Sequence, residues 1–220
     1  MIRVMIAEDQ AMVRGALAAL LTLEGDIDVV AEVGRGDEVV EAALLARPDV
    51  ALLDIEMPGH DGLIAAGALR ERMPGCRVLI LTTFRRPGYL RLAMERGAAG
   101  YLLKDAPAGA LANAIRRAMK GLRTVDPGLA MAALTDGANP LTEREREVLS
   151  VSAEEATVAD IARRLFLSQG TIRNHLSAAI QKLEAHSRAE AVRIALDKGW
   201  LEPGVQGLVA PISPVARRLS

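Results

Sequence analysis

The chain has 220 residues, of which 50% are hydrophobic and 25% are charged, and its formal net charge is −1. This length allows one large domain or two smaller ones with separate cores, and the 2% share of aromatic residues means that aliphatic side chains must build those cores. A single cysteine, Cys76, excludes an intramolecular disulfide, and no apolar run approaches the roughly 18 residues that a membrane span needs. Together with a strand-like start that lacks a signal-peptide layout, these features predict a cytoplasmic protein.

The first 121 residues alternate short apolar segments with amphipathic helical patterns. The patterns predict strands at residues 3–7, 28–32, 50–53, 77–81 and 100–103, and helices at residues 11–23, 36–46, 62–72, 88–96 and 107–120. Repeated β-α units of this length favour an α/β doubly wound five-stranded parallel sheet with helices on both faces. In such sheets the functional site lies beyond the carboxyl ends of the strands.

The alternation ends after residue 121, and the following residues contain glycine and proline. One short helix is expected near residues 128–134. Further on, only helical patterns occur, and they begin with the spacing of a capping box between Thr142 and Glu145. We therefore predict four segments: a first domain at 1–121, a linker at 122–140, an all-α domain at 141–202 and a flexible tail at 203–220, to which no function is assigned.

Five side chains of related chemistry follow the predicted strands. Glu8 and Asp9 end the first strand, Asp54 ends the third, and Thr82 and Lys104 follow the fourth and fifth. Clustered carboxylates repel one another and need a compensating cation, and hard oxygen ligands suit Mg²⁺. A carboxylate beside Mg²⁺ and a lysine can attack a phosphoryl donor, because both cations neutralise charge on the transferred group. Any one of these residues alone is typical of a solvated strand end, but the set of five favours a phosphoryl-transfer site.

Residues 1–121 resemble a CheY-type receiver domain. The motifs that carry the resemblance are Glu8-Asp9, the run from Asp54 to Gly62, Leu81-Thr82-Thr83 and the run from Gly100 to Lys104. The resemblance implies roles for seven residues. Asp54 would be the phosphoacceptor and a Mg²⁺ ligand, and Glu8, Asp9 and the backbone carbonyl of Glu56 would be further Mg²⁺ ligands. Thr82 would be the hydroxyl that moves to the phosphoryl oxygen, Tyr101 the aromatic switch and Lys104 the ion-pair partner of the phosphoryl group. Thr83 competes with Thr82 for the hydroxyl role. An ordinary half-buried aromatic is the alternative interpretation of Tyr101.

Two predicted helices separated by three residues lie in the second domain. Thr157 precedes the first helix, at residues 158–165, and Ser168 caps the second, at residues 169–185. This layout is typical of a helix-turn-helix, whose second helix enters the major groove of DNA. From periodicity alone, an amphipathic helical bundle would be the preferred interpretation. The charge does not decide between them, because residues 160–198 hold seven basic and four acidic groups, which is only a mild basic excess.

The second domain resembles the LuxR-type domain of the NarL/FixJ regulators. The resemblance is carried by four stretches, at residues 141–149, 160–168, 170–176 and 188–192. It implies base contacts by Arg173, Asn174 and Ser177, phosphate contacts by Thr171 and Lys182, and a dimer contact through the final helix. Three departures are present. Residues 152–156 lack the usual turn glycine, and Ala185-His186 replace the usual small or basic residues. Glu184 replaces a second glycine and is expected to weaken phosphate binding by like-charge repulsion.

Both resemblances together cover about residues 2–200 and imply a DNA-binding transcriptional response regulator of a two-component system. A sensor histidine kinase would phosphorylate Asp54, and phosphorylation would promote homodimerisation and binding to double-stranded promoter DNA. No enzyme is expected beyond self-phosphorylation and self-dephosphorylation. An orphan regulator that binds DNA without phosphorylation is the alternative, and the complete set of receiver residues argues against it. A phosphohydrolase is a second alternative, but it would need a D-x-D motif near the N-terminus and a substrate cap, and the sequence shows neither.

Overall fold

The computed structural model describes residues 1–83, 87–135, 139–153 and 157–201. The tail predicted at residues 203–220 lies outside this range, as do residues 154–156 of the turn that lacks the expected glycine. None of the helices in the described ranges is long and apolar enough to cross a membrane.

Six parallel strands form one sheet in the described part of the chain: β1 (Ile2–Ala7), β2 (Ile27–Val33), β3 (Val50–Leu53), β4 (Arg77–Thr82), β5 (Gly100–Leu103) and β6 (Thr124–Val125). Their order is β2-β1-β3-β4-β5-β6, so strands are added on one side of β1 and then on the other. The switch point therefore lies between β1 and β3. In open α/β sheets, ligand sites form at this point beyond the carboxyl ends of the strands.

The prediction of a five-stranded sheet is wrong by one strand. The additional strand, β6, lies inside the predicted linker, and its two residues pair with Gly100 and Tyr101 of β5. Two residues are too few to show the alternation of apolar and polar positions on which strand prediction depends. The sheet consequently extends past the boundary that we predicted at residue 121.

Within the ranges that the structure describes, five helices cover the two faces of the sheet: α1 (Ala11–Thr22), α2 (Val39–Ala46), α3 (Gly62–Arg72), α4 (Pro87–Glu95) and α5 (Ala108–Met119). On one face, Leu21 of α1 and Ile115 of α5 are buried in a common core with β-strand residues. On the other face, Val39 of α2, Leu69 of α3 and Tyr89 of α4 are buried in a second core. The doubly wound α/β fold predicted from the alternating pattern is confirmed.

A further helix, α6 (Pro127–Thr135), follows β6 and packs on the first domain. Its Leu129 is buried in the core that α2, α3 and α4 cover. In addition, the Arg91 guanidinium of α4 donates a hydrogen bond of 3.0 Å to the backbone carbonyl of Ala133. The short helix expected near residues 128–134 is therefore present, and it is anchored on α4.

In the described residues of the second domain there are four helices: α7 (Glu143–Ser152), α8 (Val158–Leu165), α9 (Gln169–Lys182) and α10 (Arg188–Asp197). They enclose a third core, in which α9 buries Ile172, Leu176 and Ala179. The predicted capping box is confirmed, because the Glu145 N–H donates to the Thr142 hydroxyl and the Glu145 carboxylate accepts from the Thr142 N–H. Such a cap stabilises a helix by about 1 kcal/mol.

The two domains meet where α4 contacts the chain that leaves α10. A Cβ atom built on Gly88 would lie 1.9 Å from the backbone nitrogen of Gly199, and one built on Gly199 would lie 2.3 Å from the carbonyl oxygen of Gly88. Real Cβ atoms do not approach backbone atoms so closely, so this contact requires glycine on both sides. Gly199 also has a φ of 65°, in the left-handed region that glycine adopts at little cost.

Candidate functional site

Four of the predicted receiver residues lie at the carboxyl edge of the sheet. Glu8 directly follows β1, Asp54 follows β3, Thr82 is the last residue of β4, and Lys104 follows β5. The Lys104 backbone N–H donates to the Thr82 carbonyl at 2.8 Å, which continues the pairing of β4 and β5 up to the lysine. The edge at the β1–β3 switch point thus brings together residues that lie up to 96 positions apart (8 to 104).

Lys104 bridges two buried carboxylates. Its ammonium nitrogen lies 2.7 Å from Oε2 of Glu8 and 2.8 Å from Oδ2 of Asp54, and the two acidic side chains are 2% and 5% exposed. The other oxygen of Asp54 accepts a 2.7 Å hydrogen bond from the Ile55 N–H. Both oxygens of Asp54 are therefore held in place by donors from different strands or loops.

The charges in this cluster do not balance. Burial raises the pKa of Asp54 above its ordinary value, and the hydrogen bond from Lys104 offsets only part of that effect. Burial also raises the pKa of Glu8, and the nearby charge of Asp54 adds to the increase. Burial alone would lower the pKa of Lys104, but its bonds to Asp54 and Glu8 prevail and raise it. One protonated lysine thus faces two carboxylates, so negative charge remains in excess.

A third carboxylate completes a set of oxygen atoms that suits a divalent cation. Ligand atoms of Glu8, Asp9 and Asp54 lie within 4.8 Å of one another, and Asp9 is exposed to solvent. Three carboxylates and one lysine carry a net charge of −2, which a divalent cation would cancel. The donors are hard oxygens, as Mg²⁺ requires. Glu56 is exposed in the loop after Asp54, and the metal-ligand role of its carbonyl stays a prediction.

The predicted switch residues are both fully buried. Thr82 and Tyr101 are each 0% exposed, and Ile80 and Thr82 on β4 pair with Tyr101 and Leu103 on β5. Thr83, the competitor for the hydroxyl role, is exposed beyond the end of the strand. Tyr101 is buried in the core that α4 covers, so it is not the half-buried aromatic of the alternative interpretation. The roles of Thr82 and Tyr101 as switch residues stay predictions, and this geometry is compatible with them.

The loop that carries Asp54 is held by close backbone packing. The Gly62 N–H donates to the Ile55 carbonyl at 2.9 Å, and the Asp61 carboxylate caps α3 by accepting from the Ile64 N–H at 2.7 Å. A Cβ atom on Gly62 would lie 1.8 Å from the carbonyl oxygen of Asp54. Glycine at this position therefore allows α3 to start directly against the backbone of the aspartate.

The predicted base-contacting residues share one face of α9. Arg173, Asn174 and Ser177 are exposed on the side opposite the buried Ile172 and Leu176. The Arg173 guanidinium donates a 3.2 Å hydrogen bond to the side-chain oxygen of Gln169, one turn earlier. Thr171 is half-buried, its N–H donates to the Ser168 hydroxyl at 3.0 Å, and its own hydroxyl lies 2.8 Å from the same oxygen. The structure thus groups the residues, while their contacts with DNA stay predictions.

Lys182 has a partner inside the domain that the sequence analysis missed. Its ammonium donates to both carboxylate oxygens of Glu145, at 2.9 and 2.7 Å, and so connects the end of α9 to the start of α7. The Glu145 side chain is 7% exposed. The sequence offers only the capping-box glutamate as a signal, and the separation of 37 positions between the two residues hides the pair. A phosphate contact by Lys182 stays a prediction, but the geometry assigns the side chain a structural role first.

Glu184 adopts the backbone conformation that explains why a glycine is usual there. Its φ is 52°, in the left-handed region, directly after the C-cap Leu183 of α9. Non-glycine residues are disfavoured in this region. The departure noted in the sequence therefore has a cost in backbone energy, and the expected weakening of phosphate binding by its charge stays a prediction.

Replacing Glu145 by glutamine is expected to destabilise the second domain by about 2 kcal/mol at pH 7, because a charged hydrogen bond to Lys182 is lost. Burial raises the pKa of Glu145, but hydrogen bonds from Lys182 and Thr142 outweigh it and lower that pKa below the ordinary 4.5. A carboxyl group whose pKa is lower in the folded state than in the unfolded state stabilises the fold at a pH above the unfolded-state pKa. This stability is lost as the pH falls through the folded-state pKa. The stability difference between wild type and variant should therefore shrink below about pH 4.5.

Urea unfolding followed by the fluorescence of Trp200, the single tryptophan, measures this difference in the second domain. Glu147→Gln is the matched control on the same helix, since Glu147 pairs with Arg144 at an exposed position and such pairs contribute little. An equal loss of stability in the two variants would contradict the assigned role of the Glu145–Lys182 pair.

The chain matches two families over most of its length. Residues 4–116 match the family described as "Response regulator receiver domain", and residues 139–195 match "Bacterial regulatory proteins, luxR family". The "Transcriptional regulatory protein DesR" of Bacillus subtilis (strain 168) is 47% identical over 202 residues, which are 92% of this chain and 100% of that protein. The "Uncharacterized transcriptional regulatory protein YvfU" of the same organism is 49% identical over 201 residues, which are 91% of this chain and 100% of that protein.

One solved structure matches the chain across both domains. The response regulator ChrA of a heme-sensing two-component system is 36% identical, with a TM-score of 0.54, and the match covers 90% of this chain and 97% of that chain. The matches to these relatives and to this solved structure extend across both domains of the chain. The chain belongs to the response regulators that join a receiver domain to a LuxR-type DNA-binding domain.

Proposed function

We propose that this transcriptional regulator acts in the cytoplasm and is activated when a sensor histidine kinase phosphorylates Asp54. Phosphorylation then promotes homodimerisation and binding to double-stranded promoter DNA. The observation that carries this proposal is the bridge of Lys104 between the buried carboxylates of Glu8 and Asp54 at the switch point of the sheet. A solvated strand end would not place a lysine and two buried acids within hydrogen-bond distance.

The chemistry expected at this edge is an in-line transfer. An oxygen of Asp54 attacks the phosphorus of a phosphohistidine, a P–O bond forms, and the P–N bond breaks so that the kinase histidine leaves with the electron pair. Lys104, 2.8 Å from the nucleophilic carboxylate, is placed to neutralise a phosphoryl oxygen after transfer. Glu8, Asp9, Asp54 and the carbonyl of Glu56 would hold Mg²⁺, which supplies the remaining positive charge. Slow self-phosphorylation from small donors and self-dephosphorylation are the only reactions that this site needs to support.

The signal is proposed to leave the site through β4 and β5. The Thr82 hydroxyl would move towards the phosphoryl oxygen, and Tyr101 on the neighbouring strand would follow. Both residues lie in or against the core that α4 covers, and α4 carries the Gly88 contact with the second domain. A change in this region therefore alters the surface on which the end of α10 rests.

A dimer has apolar surface available on α1. Met12 is 87% exposed, Leu20 is 44% exposed, and Leu23, at the C-cap, is 82% exposed. A groove of about 250 Å³ between α1 and α5 adjoins them and is lined by Leu17, Leu20 and Leu111 among others. Burial of such surface in a second copy would be favourable, and two copies would present two recognition helices to two half-sites. Affinity would then rise through avidity rather than through new base contacts.

The proposal is tested on the full chain with Mg²⁺ and acetyl phosphate, with Asp54→Asn as the control. The wild type should gain one phosphoryl group by intact mass, elute as a dimer in size-exclusion chromatography with light scattering, and bind selected DNA fragments more tightly. Asp54→Asn should remain unmodified and monomeric, because an amide oxygen is a poor nucleophile.

Two outcomes would contradict the proposal. A folded wild type that takes up no phosphoryl group but binds DNA would support the orphan regulator instead. A phosphorylated protein that stays monomeric and gains no DNA affinity would exclude the dimerisation mechanism and leave only the phosphoacceptor role.

A further inference from the structure

One aromatic side chain lies exposed at the turn of the helix-turn-helix. Phe166 is 93% exposed and is the C-cap of α8, two residues before the N-cap Ser168 of α9. Among the described aromatic residues it is the one on the surface, since Tyr89 and Tyr101 are buried and Trp200 is half-buried. A polar residue or glycine would avoid the unfavourable hydration of an apolar ring at this position.

The backbone of Phe166 is also unfavourable. Its φ is 54° and its ψ is 42°, the left-handed conformation that glycine and asparagine adopt most readily at helix ends. The residue makes the expected capping bond, from its N–H to the Ala162 carbonyl, so the turn itself needs the conformation but not the ring. Glycine would provide the same turn without the strain. A ring that is both strained and exposed indicates a function outside the folded domain.

The position of the ring favours DNA as its partner. Phe166 borders a shallow depression that is also lined by Ala162, Leu167 and Gln169, the first residue of α9. Gln169 accepts the hydrogen bond from Arg173, the first of the proposed base-contacting residues. The ring therefore lies at the N-terminal end of the recognition helix, beside the face that would enter the major groove. Arg163, which also lines the depression, is exposed and forms an ion pair with Asp160 of the same helix, and Arg164 is exposed as well.

We propose that Phe166 is a further DNA contact, which packs its ring against the apolar face of a deoxyribose at the rim of the major groove. The inference rests on the proposed function, because it requires that α9 binds DNA. A sugar contact is apolar and independent of sequence, so it contributes affinity without base specificity and without release of counterions. Charged residues near the ring would contribute a part of the binding affinity that depends on salt, and the ring would contribute a part that does not.

The test compares Phe166→Gly with the wild type on duplexes that the wild-type chain has selected from a randomised pool. The variant should bind roughly tenfold more weakly, as expected when one aromatic ring no longer buries its surface. The loss should be equal at all salt concentrations and similar for different selected sequences. Phe166→Tyr, which keeps the ring, should bind within about twofold of the wild type.

Phe166→Gly also separates binding from folding. Because glycine relieves the left-handed strain, the midpoint of urea unfolding should stay the same or rise. Arg47→Gly is the matched control in the receiver domain, where Arg47 has a φ of 48°; it relieves similar strain and should leave DNA affinity unchanged. Should Phe166→Gly nevertheless unfold, Phe166→Asn provides a second variant suited to this backbone conformation.

Three results would overturn the inference, and each is distinguishable from a failure of the proposed function. Wild-type affinity in Phe166→Gly would exclude a contact with DNA. Unchanged DNA affinity with reduced transcription from a selected fragment in a purified system would assign the ring to a protein partner instead. A changed salt dependence would show that charged contacts had been disturbed. If the wild type itself selects no duplex while remaining folded, the proposed DNA-binding function fails, and the inference fails with it.

Discussion

Replacing Lys104 by methionine should lower the free energy of unfolding of the receiver domain by about 3 kcal/mol when divalent cations are absent. Methionine has a similar length but no charge, so the carboxylates of Glu8 and Asp54, 2% and 5% exposed, would lose the ammonium that bonds to both. Removal of one partner from a buried ion pair leaves an uncompensated charge in a low-dielectric environment. The substitution therefore acts on two buried acids at once.

Urea unfolding followed by circular dichroism, in the presence of a chelator, measures this loss. Lys120→Met is the matched control, because Lys120 is exposed at the C-cap of α5 and should tolerate the change. Added Mg²⁺ should stabilise Lys104→Met more than the wild type, since a cation would then replace the missing ammonium beside the acidic cluster. A variant as stable as the control, with or without Mg²⁺, would show that the bridge contributes nothing to the fold.

Replacing Gly62 by alanine should lower the free energy of unfolding by about 3 kcal/mol, because the added methyl group would overlap the backbone of the phosphoacceptor. Its Cβ would lie 1.8 Å from the Asp54 carbonyl oxygen and 2.8 Å from the carbonyl carbon. These are backbone atoms, which cannot rotate away as a flexible side chain would. Either α3 or the loop after β3 must shift, so the rate of phosphoryl uptake by Asp54 should fall at least roughly tenfold, as expected when reacting groups are displaced by about 1 Å.

Gly67→Ala on the same helix is the control, and we expect this substitution to raise the free energy of unfolding rather than to lower it. A Cβ on Gly67 would meet nothing within 4 Å, so alanine should stabilise α3 by about 1 kcal/mol through its higher helix propensity. Thermal unfolding and the kinetics of the intact-mass adduct, measured for both variants, compare the two positions directly. Equal behaviour of the two alanine variants would contradict the role that the geometry gives to Gly62.

Much of the receiver could be predicted because its signals are local. The strands β3 and β5 and the helix α3 are short, bounded runs of apolar residues with glycine or charge at their ends, and the structure has them at the predicted positions. The convergence of Asp54 and Lys104 then follows from the parallel topology alone, since the carboxyl ends of parallel strands share one edge. The caps at Thr142 and Ser168 were predictable for the same reason, because each concerns residues within one helical turn.

The features that escaped prediction depend on tertiary packing or on backbone geometry. Strand β6 forms because β5 offers a free edge, not because Thr124 and Val125 show a strand pattern. The phosphate contact of Lys182 was implied by the resemblance to the LuxR-type domain, which gives no sign that the fold places Glu145 beside its ammonium group. The left-handed backbone of Phe166 has no signature in its own residue type, since glycine or asparagine would be the usual signal.

The pair of glycines at the domain contact has a consequence for how such regulators diversify. Because Gly88 and Gly199 meet through main-chain atoms, neither position can accept a side chain without separating the two surfaces. A chimaera of a receiver domain and a DNA-binding domain from different relatives would therefore have to retain glycine at both positions for this contact to form. Recombination between two regulators that both have these glycines would keep this part of the contact intact.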